Sequence, residues 1–423
     1  MTTLLKNGHI VDSKNNREGV FDILVEGRFI STVAKDISVP ADKVVDCSGL
    51  TVIPGICDMH VHLRDPGQTH KEDFVTAGEA AVAGGVTAVM CMPNTVPPTD
   101  TPERVRDIIR RSETSKVKIY PCAAITVGQN GLELCDFEAM KQAGAVAVSD
   151  DGKPVENARL MMEAMIRARL AGLKIISHCE DTDISGDGIM NEGAVSAKLG
   201  VSGISRTSEN IMTMREICLA NDLKAHIHIA HVSTKEAIKY INMAVNLGIM
   251  VTCETAPHYF TLTDEELLKR DADYRMNPPL RVFDDVLEIT KALCNDMFDC
   301  IASDHAPHTE REKADFETAP FGVVGLETLL PVTLTRLYHT GKLPVSKIVR
   351  MMCVNPRRIL GMGGGGLEPG SPADIAVFDL NENWTLNPDK LRSKSKNTCF
   401  KGMKLKGRVK YTLVNGAIVY EDK

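Results

Sequence analysis

Two imidazoles two residues apart, in Asp58-Met59-His60-Val61-His62, are the part of this sequence best suited to chemistry. A strand-like run, Thr51-Val52-Ile53-Pro54-Gly55-Ile56-Cys57, leads straight into them. Side chains alternate faces along a strand, so residues at i and i+2 point the same way and both rings can reach one metal ion. The pair by itself is a common surface or core motif. Four later residues strengthen it, each a His or Asp at the end of an apolar run: Asp151, His178, His231 and Asp304. Four imidazoles and two carboxylates suit Zn²⁺, and suffice for two ions if one carboxylate bridges them. A binuclear pair polarises a carbonyl and lowers the pKa of bound water toward ~7, so amide hydrolysis is the chemistry expected. Asp304 is expected to serve as a ligand and as the hydrogen-bond partner of the nucleophile.

Such a set needs a scaffold that brings distant strand ends together. Apolar runs recur at residues 86–92, 117–123, 145–149, 174–177, 226–230, 249–254 and 300–303, and the run before His60 makes eight. Between them, segments such as 102–115 and 158–171 have helical spacing and charged faces. The pattern predicts an α/β chain in which residues 54–360 form a (β/α)₈ TIM barrel, with its active site at the C-terminal ends of the strands. His60 and His62 then end strand 1, Asp151 follows strand 4, His178 strand 5, His231 strand 6 and Asp304 strand 8.

The two ends of the chain differ in texture. Residues 4–11 and 21–30 carry Asn-Gly and Glu-Gly turns between alternating segments, and residues 373–380 and 409–420 repeat the style. Residues 1–53 and 361–423 are therefore read as one small β-sandwich domain formed by both termini. Gly363-Gly364-Gly365-Gly366 lacks the Lys-Ser/Thr of a phosphate loop and reads as a flexible junction between the two domains.

Composition narrows the partners. The chain is 43% hydrophobic and 25% charged, with a formal net charge of -7 and no long basic run, which leaves no electrostatic footprint for nucleic acid or an anionic membrane. A small molecule is the expected partner. The opening residues Met1-Thr2-Thr3-Leu4-Leu5-Lys6 carry no apolar signal core, and no apolar run approaches the ~20 residues of a bilayer span. Scattered cysteines without a Cys-x-x-Cys pair point to a reducing compartment, so a cytoplasmic protein is expected.

Longer segments now resemble a known family. Asp58-Met59-His60-Val61-His62-Leu63-Arg64-Asp65-Pro66 and Ala302-Ser303-Asp304-His305-Ala306-Pro307-His308, followed by Lys313, are similar to the two signature segments of the dihydroorotases (class I type), within the amidohydrolase superfamily. Segments at 91–95, 149–152, 254–259, 277–281 and 320–322 resemble the same family in the same order. The resemblance implies reversible cyclisation of N-carbamoyl-L-aspartate to L-dihydroorotate in pyrimidine biosynthesis. It also implies two zinc ions bridged by Asp151, and Asp304 as the catalytic residue. Arg64, Asn94 and His308 would hold the substrate carboxylate, with His62 also at the substrate, while Asn277, Phe321 and Gly322 shape the pyrimidine pocket. A homodimer is the expected assembly, and a complex with aspartate transcarbamoylase is left open.

Several assignments have competitors. Spacing alone leaves open whether Asp150 or Asp151 turns inward; family position favours Asp151. His226 and His228 have the opposite strand parity to His231 and are expected to pack between strand and helix. His258 is read as a structural or supporting residue, and His9, His70, His305 and His339 as ordinary. Allantoinase and dihydropyrimidinase also open cyclic amides, but typically bridge their metals with a carboxylated lysine where this chain has Val148-Ser149-Asp150-Asp151. A metal-free scaffold relative is a reading of a different class, and retention of all six ligands argues against it.

Overall fold

The computed structural model describes residues 2–422. Strands β1 (Thr2–Asp12), β2 (Arg17–Glu26), β3 (Phe29–Ala34), β4 (Lys43–Asp46) and β5 (Thr51–Pro54) open the chain. Next come β6 (Ile56–Val61), β7 (Val86–Cys91), β8 (Lys118–Ala123), β9 (Ala147–Val148) and β10 (Lys174–Ser177). A two-stranded excursion, β11 (Met190–Asn191) with β12 (Gly203–Ile204), precedes β13 (Ile227–Ile229), β14 (Val251–Thr255) and β15 (Cys300–Ile301). Strands β16 (Ile375–Thr385), β17 (Lys404–Val414) and β18 (Ala417–Glu421) close it.

Both ends of the chain enter one sheet, in the order β18-β17-β16-β5-β1-β2-β3 with β4 also paired to β1. The termini join at β5, which runs antiparallel to β16 and parallel to β1. Leu5, Ile10, Ile23, Val52, Ile375, Val377 and Leu413 form a core of this sheet. Between β5 and β6 stands Gly55, where an added Cβ would lie 2.2 Å from the Thr87 hydroxyl, so the handover from one sheet to the other has no room for a side chain.

Strands β6 to β10 and β13 to β15 pair in parallel, in chain order, as the barrel. The ring closes through a parallel bridge between Val61 and His305, where the His62 N–H donates to the His305 carbonyl at 2.8 Å. Ile175, Ile227, Ile229 and Cys253 belong to the core shared with the surrounding helices, while Met59, Met90, Met92, Cys122, Ile176, Ala230 and Cys300 fill the interior. Strands apolar on both faces are what a sheet covered by helices requires. The helix Ala158–Ala171 illustrates the outer layer, capped by the Asn157 side chain at its start and by Gly172 at φ 69° at its end.

His228 departs from expectation. It pairs in register with the interior residue Ile176, so it points into the barrel and not toward a helix. Ile227 and Ile229 occupy the helix face, and parity turns His228 inward, where Nδ1 lies 2.9 Å from the Thr252 hydroxyl and Nε2 3.5 Å from Glu254. His226 reaches the same Thr252 hydroxyl at 3.2 Å. The glycine run is a packed turn: Gly364 and Gly365 have φ of 91° and 79°, and a Cβ on Gly365 would meet the Cys353 carbonyl at 2.7 Å. Among the described residues, no helix is long and apolar enough to cross a membrane.

Candidate metal centre and substrate pocket

The mouth of the barrel holds a cavity of about 250 Å³. Its lining includes His62, Arg64, Asn94, Asp151, His178, His231, Asn277, Asp304, His308, Phe321 and Gly322, that is, all the residues nominated from sequence except His60. His60 lies fully buried, with its ring 5.5 Å from that of His62 and 5.0 Å from that of His231.

Asp151 faces all four imidazoles. Its Oδ1 lies 3.3 Å from His60 Nε2, 3.4 Å from His231 Nε2 and 3.7 Å from His178 Nδ1, and its Oδ2 lies 3.5 Å from His62 Nε2. Two groups of ligand atoms, each within 4.8 Å of one another, therefore share this one carboxylate: His60, His62 and Asp151, and Asp151, His178 and His231. Asp304 Oδ1 stands 3.4 Å from His62 Nε2 and 3.7 Å from His60 Nε2. Ligands about 2 Å from a tetrahedral ion sit roughly 3.3 Å apart, which is the spacing found here. Buried His60 Nε2 and Asp151 Oδ1 also have no hydrogen-bond partner. Orphaned buried donors and acceptors are costly, and a shared metal site accounts for both atoms. The donor set fits a metal.

The outer nitrogens are fixed by three partners, of which sequence reading named Asn94, for the substrate, and missed Glu254 and Glu180. Glu254 on β14 accepts from His60 Nδ1 at 2.8 Å, Glu180 pairs with His178 Nε2 at 2.9 Å, and Asn94 Oδ1 accepts from His62 Nδ1 at 2.7 Å. At His60 and His62 the contact leaves the other ring nitrogen turned to Asp151, the arrangement that metal-binding histidines use, while His178 Nδ1 lies 2.8 Å from His231 Nε2 as well as 3.7 Å from Asp151. Asn277 in turn donates to Glu180 at 2.9 Å. Asp58 accepts from the His60 and Ser303 main-chain N–H groups, joining the first and last barrel strands. An acid within an apolar strand, such as Glu254 after Val251-Thr252-Cys253, was the available signal, because a buried carboxylate needs a partner.

The charges follow from that packing. Burial opposes ionisation of Asp151, yet His60 and His231 hold its carboxyl well below the usual range. Burial likewise opposes, and imidazole contacts overcome it, at Glu180, Glu254 and Asp304, each lowered to about 2. Asp150 is different: burial pushes it up to about 6, and it accepts from the Ile125 and Thr126 N–H groups, so it anchors a loop while Asp151 faces the histidines. His258 is buried, ring-on-edge against Tyr259, with burial lowering it to about 4. Lys153 is exposed.

Three pocket residues hold left-handed backbone: Arg64 (φ 59°), His231 (φ 32°) and Asp304 (φ 49°). Such conformations cost a non-glycine residue on the order of 1–3 kcal/mol, and the surrounding packing turns these side chains inward in spite of it. Opposite the histidines, Arg64 donates from Nε to the Pro307 carbonyl at 3.1 Å and keeps its charge, although burial lowers it to about 10. Lys313 donates to the carbonyls of Arg275, Pro320 and Gly322, which fixes the Phe321-Gly322 wall.

The family model described as Dihydro-orotase-like matches residues 49–237, and that described as Amidohydrolase family matches residues 299–420. A dihydroorotase of Acetivibrio thermocellus is 46% identical over 99% of each chain, one of Geobacter metallireducens 45% over 100% of each, and one of Aquifex aeolicus 43% over 99% of each. Among solved structures, the L-hydantoinase (dihydropyrimidinase) from Arthrobacter aurescens superposes with a TM-score of 0.90 at 26% identity, covering 99% of this chain and 96% of that one. The dihydropyrimidinase from Brevibacillus agri gives 0.88 at 22% identity, over 100% and 96%, a likeness of fold.

Proposed function

The chain belongs to the dihydroorotase family of metal-dependent cyclic amidohydrolases, and from that membership we propose how its own residues interconvert N-carbamoyl-aspartate and dihydroorotate. His60, His62, Asp151, His178, His231 and Asp304 would hold two zinc ions, with Asp151 the carboxylate common to both ligand groups. The observation that carries this reading is Asp151, whose two oxygens address four imidazoles at 3.3–3.7 Å. Bound zinc supplies Lewis-acid polarisation of the scissile carbonyl and a nucleophile at neutral pH.

The protein does the rest. Asp304, ionised and lining the cavity, takes the proton of the attacking water and returns it to the departing amide nitrogen; in cyclisation the same proton travels the other way. Arg64 and His308 bind the substrate carboxylate through charge-assisted hydrogen bonds. Asn94 spends its oxygen on His62 and offers its amide N–H to the substrate, beside the Asp151 carbonyl 3.5 Å away. Asn277, Phe321 and Gly322 form the wall against the ring. Residues 1–53 with 361–423 act as the supporting domain and 54–360 as the catalytic one. The enzyme works in the cytoplasm as a homodimer, with aspartate transcarbamoylase as a partner to be sought by co-purification.

Turnover and metal content test this together. Purified enzyme should contain about two zinc ions per chain, as expected of a site with a bridging carboxylate, and hydrolyse dihydroorotate with little turnover of dihydrouracil, hydantoin or allantoin. Equal rates on dihydroorotate and dihydrouracil would defeat the carboxylate-binding roles and favour the dihydropyrimidinase reading that the backbone likeness raises.

A further inference from the structure

Lys71 and His308 meet in a buried corner of the pocket. Lys71 Nζ lies 3.2 Å from His308 Nδ1, and the Phe321 carbonyl lies 2.8 Å from His308 Nε2. An ammonium only donates and a carbonyl only accepts, so these two partners fix the ring with Nδ1 bare and Nε2 protonated. The Arg64 guanidinium, whose Nη2 is 3.1 Å from the same Nε2, is also a pure donor and cannot bond a protonated nitrogen. That edge of Arg64 is left for an acceptor on the ligand.

The other charged groups facing the ring show what Lys71 prevents. Glu312 Oε2 lies 3.9 Å from His308 Nδ1, and Lys313 adds positive charge from the next loop position. Without Lys71, Glu312 and the Phe321 carbonyl would present an acceptor at each ring nitrogen, the setting that favours an imidazolium. Lys71 fills Nδ1 and also engages Glu312 Oε1 at 3.1 Å. Burial, and then the Arg64, Lys71 and Lys313 cations, hold His308 far below the usual imidazole range. Both partners are anchored by one C-terminal segment: the Ser395 hydroxyl donates to the Lys71 carbonyl at 2.7 Å, and Asn397 Oδ1 accepts from the His308 main-chain N–H at 3.0 Å.

We propose that Lys71 is a positioning residue of the substrate pocket, holding His308 as the neutral imidazole whose Nε2–H is spent on the Phe321 carbonyl, so that the facing edge of Arg64 stays free to receive the substrate carboxylate. The inference rests on the placement of Arg64 and His308 at that carboxylate under the proposed function.

Nitrogen-15 NMR of the metal-loaded enzyme, labelled at histidine and assigned with a His308→Asn variant, reads the ring directly. The wild type should show His308 with Nδ1 bare and Nε2 protonated from about pH 6 to about pH 8. Lys71→Met should show an imidazolium at about pH 6. Its KM for dihydroorotate should exceed the wild-type value roughly tenfold at about pH 8.5 and return toward it at about pH 6, with metal content and kcat little changed. Lys71→Arg keeps a donor at Nδ1 and should restore both spectrum and KM. A wild-type ring protonated at Nδ1 would overturn the proposal without any variant, and so would a Lys71→Met spectrum identical to wild type at the lower pH. A changed spectrum with KM unmoved at every pH would overturn the placement of His308 at the substrate, the part taken from the proposed function.

Discussion

The metal-facing half of the pocket stands on barrel strands, whereas the substrate-facing half hangs from loops that residues 391–401 tie together from the far end of the chain. His60 lies within β6 and His178 directly follows β10, and Glu254, which steadies His60, is itself a strand residue. Arg64, Lys71, His308, Phe321 and Gly322 lie in segments without regular structure. There the Ser393 hydroxyl bonds Glu72, Ser395 holds the Lys71 carbonyl, and Asn397 bridges the His308 N–H and the Gly322 carbonyl. The proposed metal ligands thus sit in or just after barrel strands, and recognition on loops braced by side-chain hydrogen bonds. A hydantoinase backbone superposes on the same barrel at a TM-score of 0.90.

Breaking the metal-facing half should cost most. Asp151→Ala should lose at least one ion by elemental analysis and nearly all activity, since both ligand groups share that carboxylate. Asp304→Asn should keep its thermal midpoint yet lose roughly 10²–10⁴-fold in kcat, the usual worth of positioned proton transfer. Glu254→Gln and Glu180→Gln should weaken metal binding about 10- to 100-fold in a chelator competition, the typical loss when the outer partner of a histidine ligand is removed. The loop-borne half should respond differently. Asn397→Ala should raise KM for dihydroorotate by up to about tenfold, the worth of a buried hydrogen bond or two, while zinc content stays at wild type. Smallest of all, Lys153→Ala should change neither metal content nor rate, and reconstitution of apo-protein should be indifferent to bicarbonate; a mass gain of one carboxyl group on Lys153 would replace the aspartate bridge with a lysine one.

The same division explains what could be read from the amino-acid order. Eight apolar runs and the His or Asp at their ends mark the barrel and place six residues at its mouth, because strand parity and strand ends are local properties. His228 shows where local reading fails: its parity was visible, but which face of β13 looks inward depends on which neighbours fill the interior. Glu254 and Glu180 left a trace as acids beside or within apolar strands, whereas Asn397 left none. It lies 89 residues from His308 and 75 from Gly322, and no periodicity records a contact between irregular segments at that distance. Arg64 and His308 were nominated through family likeness, and geometry adds what likeness could not, the donor-only face that Arg64 turns to its neighbour's protonated nitrogen.

The central claim is that recognition of the substrate carboxylate is separable from the metal chemistry, and one ratio measures it: kcat/KM for dihydroorotate over kcat/KM for dihydrouracil, in wild type and in Arg64→Ala at equal zinc content. A charged hydrogen bond of ~1.5–3 kcal/mol predicts that the variant loses roughly 10- to 100-fold of this preference while its rate on dihydrouracil is kept. A preference left intact in Arg64→Ala, or lost only together with zinc, would contradict the account.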